Sequence, residues 1–344
     1  MSLRINLLLL FCALVVGLSV DLSCTAQAEA TSSRFSAEHS IWDLPSIPDL
    51  EIDIGYWSII VAHECDSTVE VTRYLSMLDT MAAQIIFMVG PREGDMVRFA
   101  MTRTYLYEPG EWNGGHVFSY DLDDPLGDKP DAKLLPTYLD THRGNCVTMP
   151  TLFLALMERV DPAVPFCGVS APLHLFCRLH DRQDGSVWNV EATNGGNSMR
   201  DEWVIEQFRI SQTAIDSGAY LRDMTKKEYV AALLGTLVSR YCRAGEYDKA
   251  LSYADLVLEV SSRSIGGLVQ KGSVLAWQGQ TLKERILAER RKPTPVELDS
   301  LKFYAIESDR YIQRAESLGW EPETPESRER YLQTIRAAKS SKSE

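Results

Sequence analysis

The order of hydrophobic patterns along the chain is the feature that most constrains its fold. Between residues 71 and 86, apolar residues recur at helical spacing until Gly90-Pro91 interrupts them. Between residues 173 and 179 apolar and polar residues alternate, as in a strand, and a second strand is predicted over residues 187–192. The last third returns to helical spacing. Adjacent strands flanked by helices predict an α+β fold.

Further helix signals refine this order. Ser67, followed three residues later by Glu70, predicts a capping box at the start of the first helix. Helices are also expected over residues 93–107 and 134–142. The next helix should begin near Thr148, because the missing N–H of Pro150 is tolerated only in a first helical turn.

The first residues resemble an export signal. Arg4 precedes an apolar run over residues 5–20, which Asp21 ends, and Ala26-Gln27-Ala28 fits the small-residue cleavage rule. We predict a signal peptide over residues 1–28 and a protein of the periplasm or cell envelope. A retained anchor and lipidation at Cys24 are the alternatives, and lipidation would attach the chain to a membrane.

Length, charge and cysteine number narrow the class of protein. The 344 residues suggest two domains. With 35 basic against 48 acidic residues the net charge is −13, and no long basic run is present, so a nucleic-acid partner is not expected. Cleavage after Ala28 leaves five of the seven cysteines, so at least one thiol is unpaired within the chain.

A candidate catalytic group begins with Cys146, which lies just before a predicted helix, where the dipole and unpaired amides stabilise a thiolate. His174 lies on the polar side of the first strand, whereas Cys177 lies on its apolar side and is predicted to be a packed core thiol. If His180 and Gly185 close the turn, His174 lies opposite Glu191, whose carboxylate can orient the imidazole. His174 as an ordinary strand histidine and Glu191 as a solvated charge remain open.

Other chemistries lack a motif. The cysteines and histidines show no paired zinc-ligand spacing, and no glycine-rich phosphate loop follows a strand. We therefore expect no metal and no cofactor.

Three segments carry a family resemblance: Tyr-Leu-Asp-Thr-His-Arg-Gly-Asn-Cys at 138–146, Ala-Pro-Leu-His at 171–174 and Trp-Asn-Val-Glu-Ala-Thr-Asn-Gly-Gly at 188–196. They resemble bacterial transglutaminase-like proteins, specifically the subgroup with an Arg-Gly-Asn helix start and a trailing tetratricopeptide region. The similarity covers about residues 54–282. It implies a papain-like fold in a superfamily of cysteine peptidases, amidases, acyl transferases and inactive members.

By this resemblance Cys146 matches the nucleophile, His174 the base and Glu191 the acidic third member. Two departures matter: the acidic residue is more often Asp in the superfamily, and many members of the subgroup lack the cysteine. The residues expected to support the site are Gly144, Asn145 and Asn189.

The C-terminal third fits a tetratricopeptide unit at Tyr241, Gly245, Tyr247, Ala250 and Ala254, and a 34-residue period carries Gly245 to Gly279. This region is expected to be either a peptide-binding groove or a helical buttress. The predicted organisation is a signal peptide (1–28), a leader along the surface (29–55), a papain-like, transglutaminase-like domain (56–222), an α-helical tetratricopeptide-like repeat domain (223–338) and a tail (339–344).

The predicted function is an exported cysteine-dependent acyl hydrolase or acyl transferase that acts on amide or peptide bonds. The alternative is a non-catalytic envelope binding or scaffold protein that uses the groove and the repeats. The expected partner is accordingly a peptide or protein substrate or an envelope protein, with membrane attachment only if Cys24 is lipidated.

Overall fold

The computed structural model describes residues 39–129, 131–326, 328–329 and 332–333. The chain divides into two compact units, residues 1–43 and residues 44–344. In the first unit the described residues form a single 3-10 turn, Ile41–Asp43. The predicted signal peptide, its cleavage site, Cys24 and the tail at 339–344 lie outside the described residues.

The second unit is a mixture of helices and strands in its described part. Its strands are β1 Ser119–Tyr120, β2 Arg143–Gly144, β3 Phe166–Ala171, β4 His174–His180, β5 Val187–Glu191 and β6 Asn197–Met199. Its helices are α1 Ile54–Cys65, α2 Val71–Val89, α3 Asp95–Tyr107, α4 Leu135–Thr141, α5 Thr148–Val160, α6 Asp201–Phe208, α7 Gln212–Asp216, α8 Lys226–Arg243, α9 Tyr247–Val260, α10 Ile265–Ala288 and α11 Pro295–Ser317.

The start of α2 differs from the predicted capping box. The helix begins at Val71, and its N-cap, Glu70, makes no side-chain capping hydrogen bond. Asp66 instead accepts hydrogen bonds from the backbone N–H and the hydroxyl of Thr68, which forms a separate turn ahead of the helix. The capping-box prediction was wrong because an Asx turn competes for the same segment. The expected start of α5 at Thr148 is confirmed.

The predicted leader contributes to the interior of the second unit. Leu44, Ile47 and Ile52 are buried, although the sequence around them has no sustained periodicity. Asp53 then caps α1, because its carboxylate accepts the backbone N–H of Tyr56 at 2.6 Å. This segment is therefore not confined to the surface as predicted.

A four-stranded antiparallel sheet has the order β3-β4-β5-β6. In β4 and β5, Cys177 pairs with Val190 and His180 pairs with Val187. This register differs by two residues from the predicted one, so the expectation that His174 lies directly opposite Glu191 was wrong. The turn closes where the Asp181 N–H donates to the Ser186 carbonyl oxygen at 2.8 Å. Gly185 lies inside the turn with a φ of 76°, a conformation that suits glycine.

Helices and loops cover both faces of this sheet. On one face Cys177 is fully buried, as predicted, and its Sγ lies 3.6 Å from the Pro150 carbonyl oxygen in α5. On the other face a cluster of buried apolar residues joins the sheet to α6, α7 and the first residue of α10: Val169, Ala171, Phe176, Val204, Ile210, Ala214, Tyr220 and Ile265. The polar groups that are buried on either face must therefore find partners within the protein.

The C-terminal region is helical, and α8 packs on α1 and β3. Gly245 lies in the turn between α8 and α9 with a φ of 75°, whereas Gly279 lies inside α10. The two glycines related by the 34-residue period therefore occupy different kinds of position. Tyr241 and Tyr253 stack on each other, and both hydroxyls donate hydrogen bonds to Glu64 of α1. Among the helices of the described residues, none is long and apolar enough to cross a membrane.

Candidate active site

Asn145 fixes the backbone around Cys146. Its side-chain oxygen accepts the backbone N–H groups of Val147 at 2.9 Å and Thr148 at 3.3 Å, and its side-chain N–H donates to the Ala132 carbonyl oxygen at 2.7 Å. Asn145 itself is buried. The side chain therefore caps the first turn of α5 and ties it to the preceding loop, which leaves the Cys146 side chain without a capping role.

Cys146 lies two residues before α5 and is partly exposed. Its Sγ donates a weak hydrogen bond to the Leu173 carbonyl oxygen at 3.6 Å. Within the described part of the chain the Cys146 backbone N–H has no hydrogen-bond acceptor. A free thiol, an unpaired amide and the positive end of a helix dipole therefore coincide at this position.

Gly144 is required by close packing, not by its φ angle. It forms part of β2 and does not lie in the left-handed region, where His142, two residues earlier, has a φ of 55°. A Cβ atom on Gly144 would lie 2.6 Å from the Thr148 hydroxyl oxygen and 2.6 Å from a ring carbon of Tyr138. Gly144 therefore supports this segment because it lacks a side chain, and its backbone conformation is one that other residues also adopt.

His174 and Glu191 are joined directly. The Nε2 atom of His174 lies 2.7 Å from a carboxylate oxygen of Glu191, and both side chains are about 10% exposed. The other oxygen of Glu191 accepts the backbone N–H and the hydroxyl of Thr193 at 3.0 and 2.6 Å. Phe208 stacks on the imidazole, with ring centroids 4.7 Å apart. Thr193 thus holds the Glu191 carboxylate in place, and Glu191 and Phe208 together fix the orientation of the His174 imidazole.

The electrostatic environment favours a charged pair. Burial lowers the pKa of His174, but the Glu191 carboxylate and the Cys146 thiol outweigh it and raise the pKa to about 10. Burial would raise the pKa of Glu191, but the His174 charge and the hydrogen bonds from His174 and Thr193 together lower it. Cys146 is thus close enough to raise the pKa of the imidazole, while its own Sγ donates to the Leu173 carbonyl oxygen. The thiol, the imidazole and the carboxylate therefore influence one another electrostatically, and a hydrogen bond joins the last two.

Asn189 does not join this group. Its side-chain oxygen accepts the Nε–H of Arg178 at 2.7 Å, and its amide N–H donates to Asp201 at 2.6 Å. Asn189 therefore supports the sheet face through Arg178 instead of contacting His174. Two residues that contact the pair had no predicted role: Thr193 lies within the segment that carries the family resemblance, whereas no local pattern indicated Phe208.

Residues 72–235 match the family model described as the transglutaminase-like superfamily, which covers just under half of the chain. This region is a transglutaminase-like domain, and the superfamily suggests cysteine hydrolase or acyl transferase chemistry. No curated protein and no solved structure matches the chain.

We predict that Gly144→Ala destabilises the chain by about 1 to 3 kcal/mol, because the added methyl group overpacks against Tyr138 and Thr148. Urea unfolding measures this change. Gly266→Ala is the control, since its added Cβ atom meets nothing closer than 3.9 Å and should leave stability unchanged or raise it by about 0.5 kcal/mol. Equal effects of the two substitutions would contradict the packing argument.

The His174–Glu191 pair should also make stability depend on pH. The folded pKa of His174 is raised above the unfolded value of 6.5, so its contribution is complete below pH 6.5 and is lost as the pH rises to about 10. The difference in unfolding free energy between the chain and His174→Gln should therefore shrink by up to about 1 kcal/mol per pH unit in this window. Glu191→Gln should abolish this dependence, and a pH-independent difference would refute the ion pair.

Proposed function

We propose that the chain is a cysteine-dependent acyl hydrolase or acyl transferase that acts on amide or peptide bonds. The observation that carries the proposal is the buried hydrogen bond between His174 and Glu191 beside the Cys146 thiol. The same three residue types perform nucleophile, base and orienting roles in cysteine enzymes. The transglutaminase-like domain over residues 72–235 supports this class of chemistry.

In the first half-reaction, the Cys146 thiolate attacks the carbonyl carbon of the amide and forms a carbon–sulfur bond. Because Nε2 of His174 is bonded to Glu191, the Nδ1 atom is the one available to exchange a proton. The imidazolium gives that proton to the leaving nitrogen as the carbon–nitrogen bond breaks, so a thioester and a free amine result. The Cys146 backbone N–H supports the negative charge on the carbonyl oxygen.

In the second half-reaction, neutral His174 takes a proton from the incoming nucleophile, which attacks the thioester carbon. Water yields a carboxylic acid, and a primary amine yields a new amide. The Cys146 thiolate leaves and the imidazolium is restored, so protons and electrons balance over the cycle. The Glu191 carboxylate keeps its charge throughout and stabilises the imidazolium of the free enzyme.

We further propose that the chain is exported through the signal peptide at residues 1–28, with cleavage after Ala28.

We also propose that the C-terminal helical region supports the transglutaminase-like domain. Two tyrosines of this region bond to Glu64 in α1, and Tyr229 of α8 lies 2.9 Å from the hydroxyl of Thr151 in α5. These contacts favour the buttress over a separate peptide-binding groove. The tetratricopeptide-like interpretation rests on the sequence pattern alone.

The nucleophile assignment predicts selective alkylation. Burial raises the pKa of Cys65 to about 11 and of Cys167 to about 12, and also raises those of Cys177 and Cys242. We therefore expect Cys146 to react with iodoacetamide at pH 7 at least about tenfold faster than the others. Peptide mapping after brief labelling measures each rate. His174→Ala should slow Cys146 labelling, and Glu191→Gln should slow it less.

Cys65→Ser serves as the matched control and should leave the rate at Cys146 unchanged. Labelling of Cys146 no faster than that of Cys65 or Cys242 would remove the nucleophile from the proposal.

The reaction itself can be tested with a glutamine-containing protein and a fluorescent primary amine. Transfer incorporates the amine and releases ammonia; hydrolysis of the side-chain amide releases ammonia alone, and peptide hydrolysis shortens the protein. Cys146→Ser should lower every product at least about a hundredfold, because a hydroxyl is a far weaker nucleophile than a thiolate. Cys242→Ser should leave turnover intact. Equal turnover by Cys146→Ser and the unchanged chain would disprove the mechanism.

A further inference from the structure

A second cluster of reactive side chains lies at the other end of β4. Cys167, His180 and Asp223 each offer one ligand atom, and these three atoms all lie within 4.8 Å of one another. The Nε2 atom of His180 is 2.7 Å from a carboxylate oxygen of Asp223. His174 and His180 are the first and last residues of β4, so at about 3.3 Å per residue the cluster lies roughly 20 Å from the candidate active site.

The sheet register brings the three ligands together. Cys167 of β3 pairs directly with Arg178 of β4, and His180 lies two residues further along the same face. Asp223 reaches this face because it forms an isolated antiparallel bridge with Val169. His180 and Asp223 are 43 residues apart in the chain, so the short spacings on which the expectation of no metal rested do not reveal this cluster.

The ligand set suits a divalent transition-metal ion. A thiolate, an imidazole and a carboxylate are the ligands that Zn²⁺ takes in proteins, and at zinc–ligand distances of about 2.0 to 2.3 Å a tetrahedral site separates them by roughly 3.3 to 3.8 Å. The present separations require movements of about an ångström, which side-chain rotation can supply. The side chains of His180 and Asp223 are 39% and 44% exposed, so an ion can enter and a water molecule can fill the fourth position.

The charges around the cluster also balance. Arg178 donates to one carboxylate oxygen of Asp223 at 3.0 Å and to Asp201 at 3.1 Å, which leaves the other oxygen of Asp223 facing His180. The guanidinium and the two carboxylates carry a net charge of −1, and a Cys167 thiolate would make it −2. A bound Zn²⁺ therefore neutralises the whole group, which favours binding in a partly buried site.

We propose that Cys167, His180 and Asp223 bind one Zn²⁺ ion with an open fourth position. The ion would link Asp223, in the segment that leads into α8, to Cys167 of β3 and His180 of β4. Burial and Asp223 hold the pKa of Cys167 near 12 in the metal-free protein, so binding releases the thiol proton to solvent. The same environment argues against Cys167 as a second nucleophile.

Cobalt provides the test, because a cysteine ligand to Co²⁺ produces a thiolate-to-metal charge-transfer absorption. The full chain carrying Cys146→Ala is used without an affinity tag, so that the candidate active site cannot supply the thiolate. One equivalent of Co²⁺ should produce this absorption, and one equivalent of Zn²⁺ should remove it. Zn²⁺ should also raise the Tm of the same protein.

Cys167→Ser in this background should abolish the charge-transfer band, and His180→Gln should weaken Co²⁺ binding at least about tenfold. Cys242→Ser is the matched control and should change neither. No charge-transfer band in the Cys146→Ala chain, or an undiminished band in Cys167→Ser, would overturn the proposal. If Cys167→Ser does not fold, the exposed His180→Gln decides, since Co²⁺ affinity equal to that of its parent would overturn the proposal on its own.

Discussion

The basic residues of β4 depend on acidic partners across a covered sheet face, and this pairing underlies both the fold and the candidate chemistry. His174, Arg178 and His180 lie at even positions of one strand, and elements C-terminal to the sheet cover that face. A buried charge without a partner costs several kcal/mol, and each of these basic residues hydrogen-bonds to at least one carboxylate. Glu191 bonds to His174, Asp201 to Arg178, and Asp223 to both Arg178 and His180. The orientation of His174 is therefore part of how the sheet is stabilised.

At the start of α5, a thiol lies beside a helix terminus without serving as the cap of that helix. Asn145 accepts the first amides of the helix, and its other side-chain atoms bind the loop before it. Gly144 permits the close approach of Tyr138 and Thr148. Because these neighbours hold the backbone, Cys146 contributes nothing to the cap and its Sγ stays partly exposed. Asn145 and Gly144 thus fix the backbone, and the Cys146 thiol has no capping role.

Much of this arrangement could be predicted from local patterns, and the remainder depends on tertiary contacts. Helical periodicity indicated α2, α3 and α5, and alternation indicated β4 and β5, because each pattern reflects burial within a single element. Strands β3 and β6 escaped notice: β6 has only three residues, and β3 is covered on both faces and shows no clear alternation. Phe208 reaches His174 only through long-range packing, which no local spacing encodes. The same is true of the contacts within the cluster of Cys167, His180 and Asp223.

The observed register explains why His174 and Glu191 form a pair although they are not directly opposite each other. A shift of one residue would have moved Glu191 to the opposite face, whereas the observed shift of two residues keeps it on the face of His174. By continuation of this register, Glu191 lies opposite Phe176 and diagonal to His174. Diagonal neighbours are about 7 to 8 Å apart, against about 5 Å for direct pairs.

This longer separation gives a physical reason for a glutamate at a position where the family resemblance implies that aspartate is more common. The additional methylene of Glu191 extends its carboxylate along the diagonal, and the observed oxygen-to-Nε2 distance of 2.7 Å shows that it reaches the imidazole. Thr193, two residues further on, then bonds to the second carboxylate oxygen and holds the extended side chain in place. Side-chain length, register and the support from Thr193 therefore form one geometric unit, in which a shorter carboxylate would need a different strand offset to orient His174.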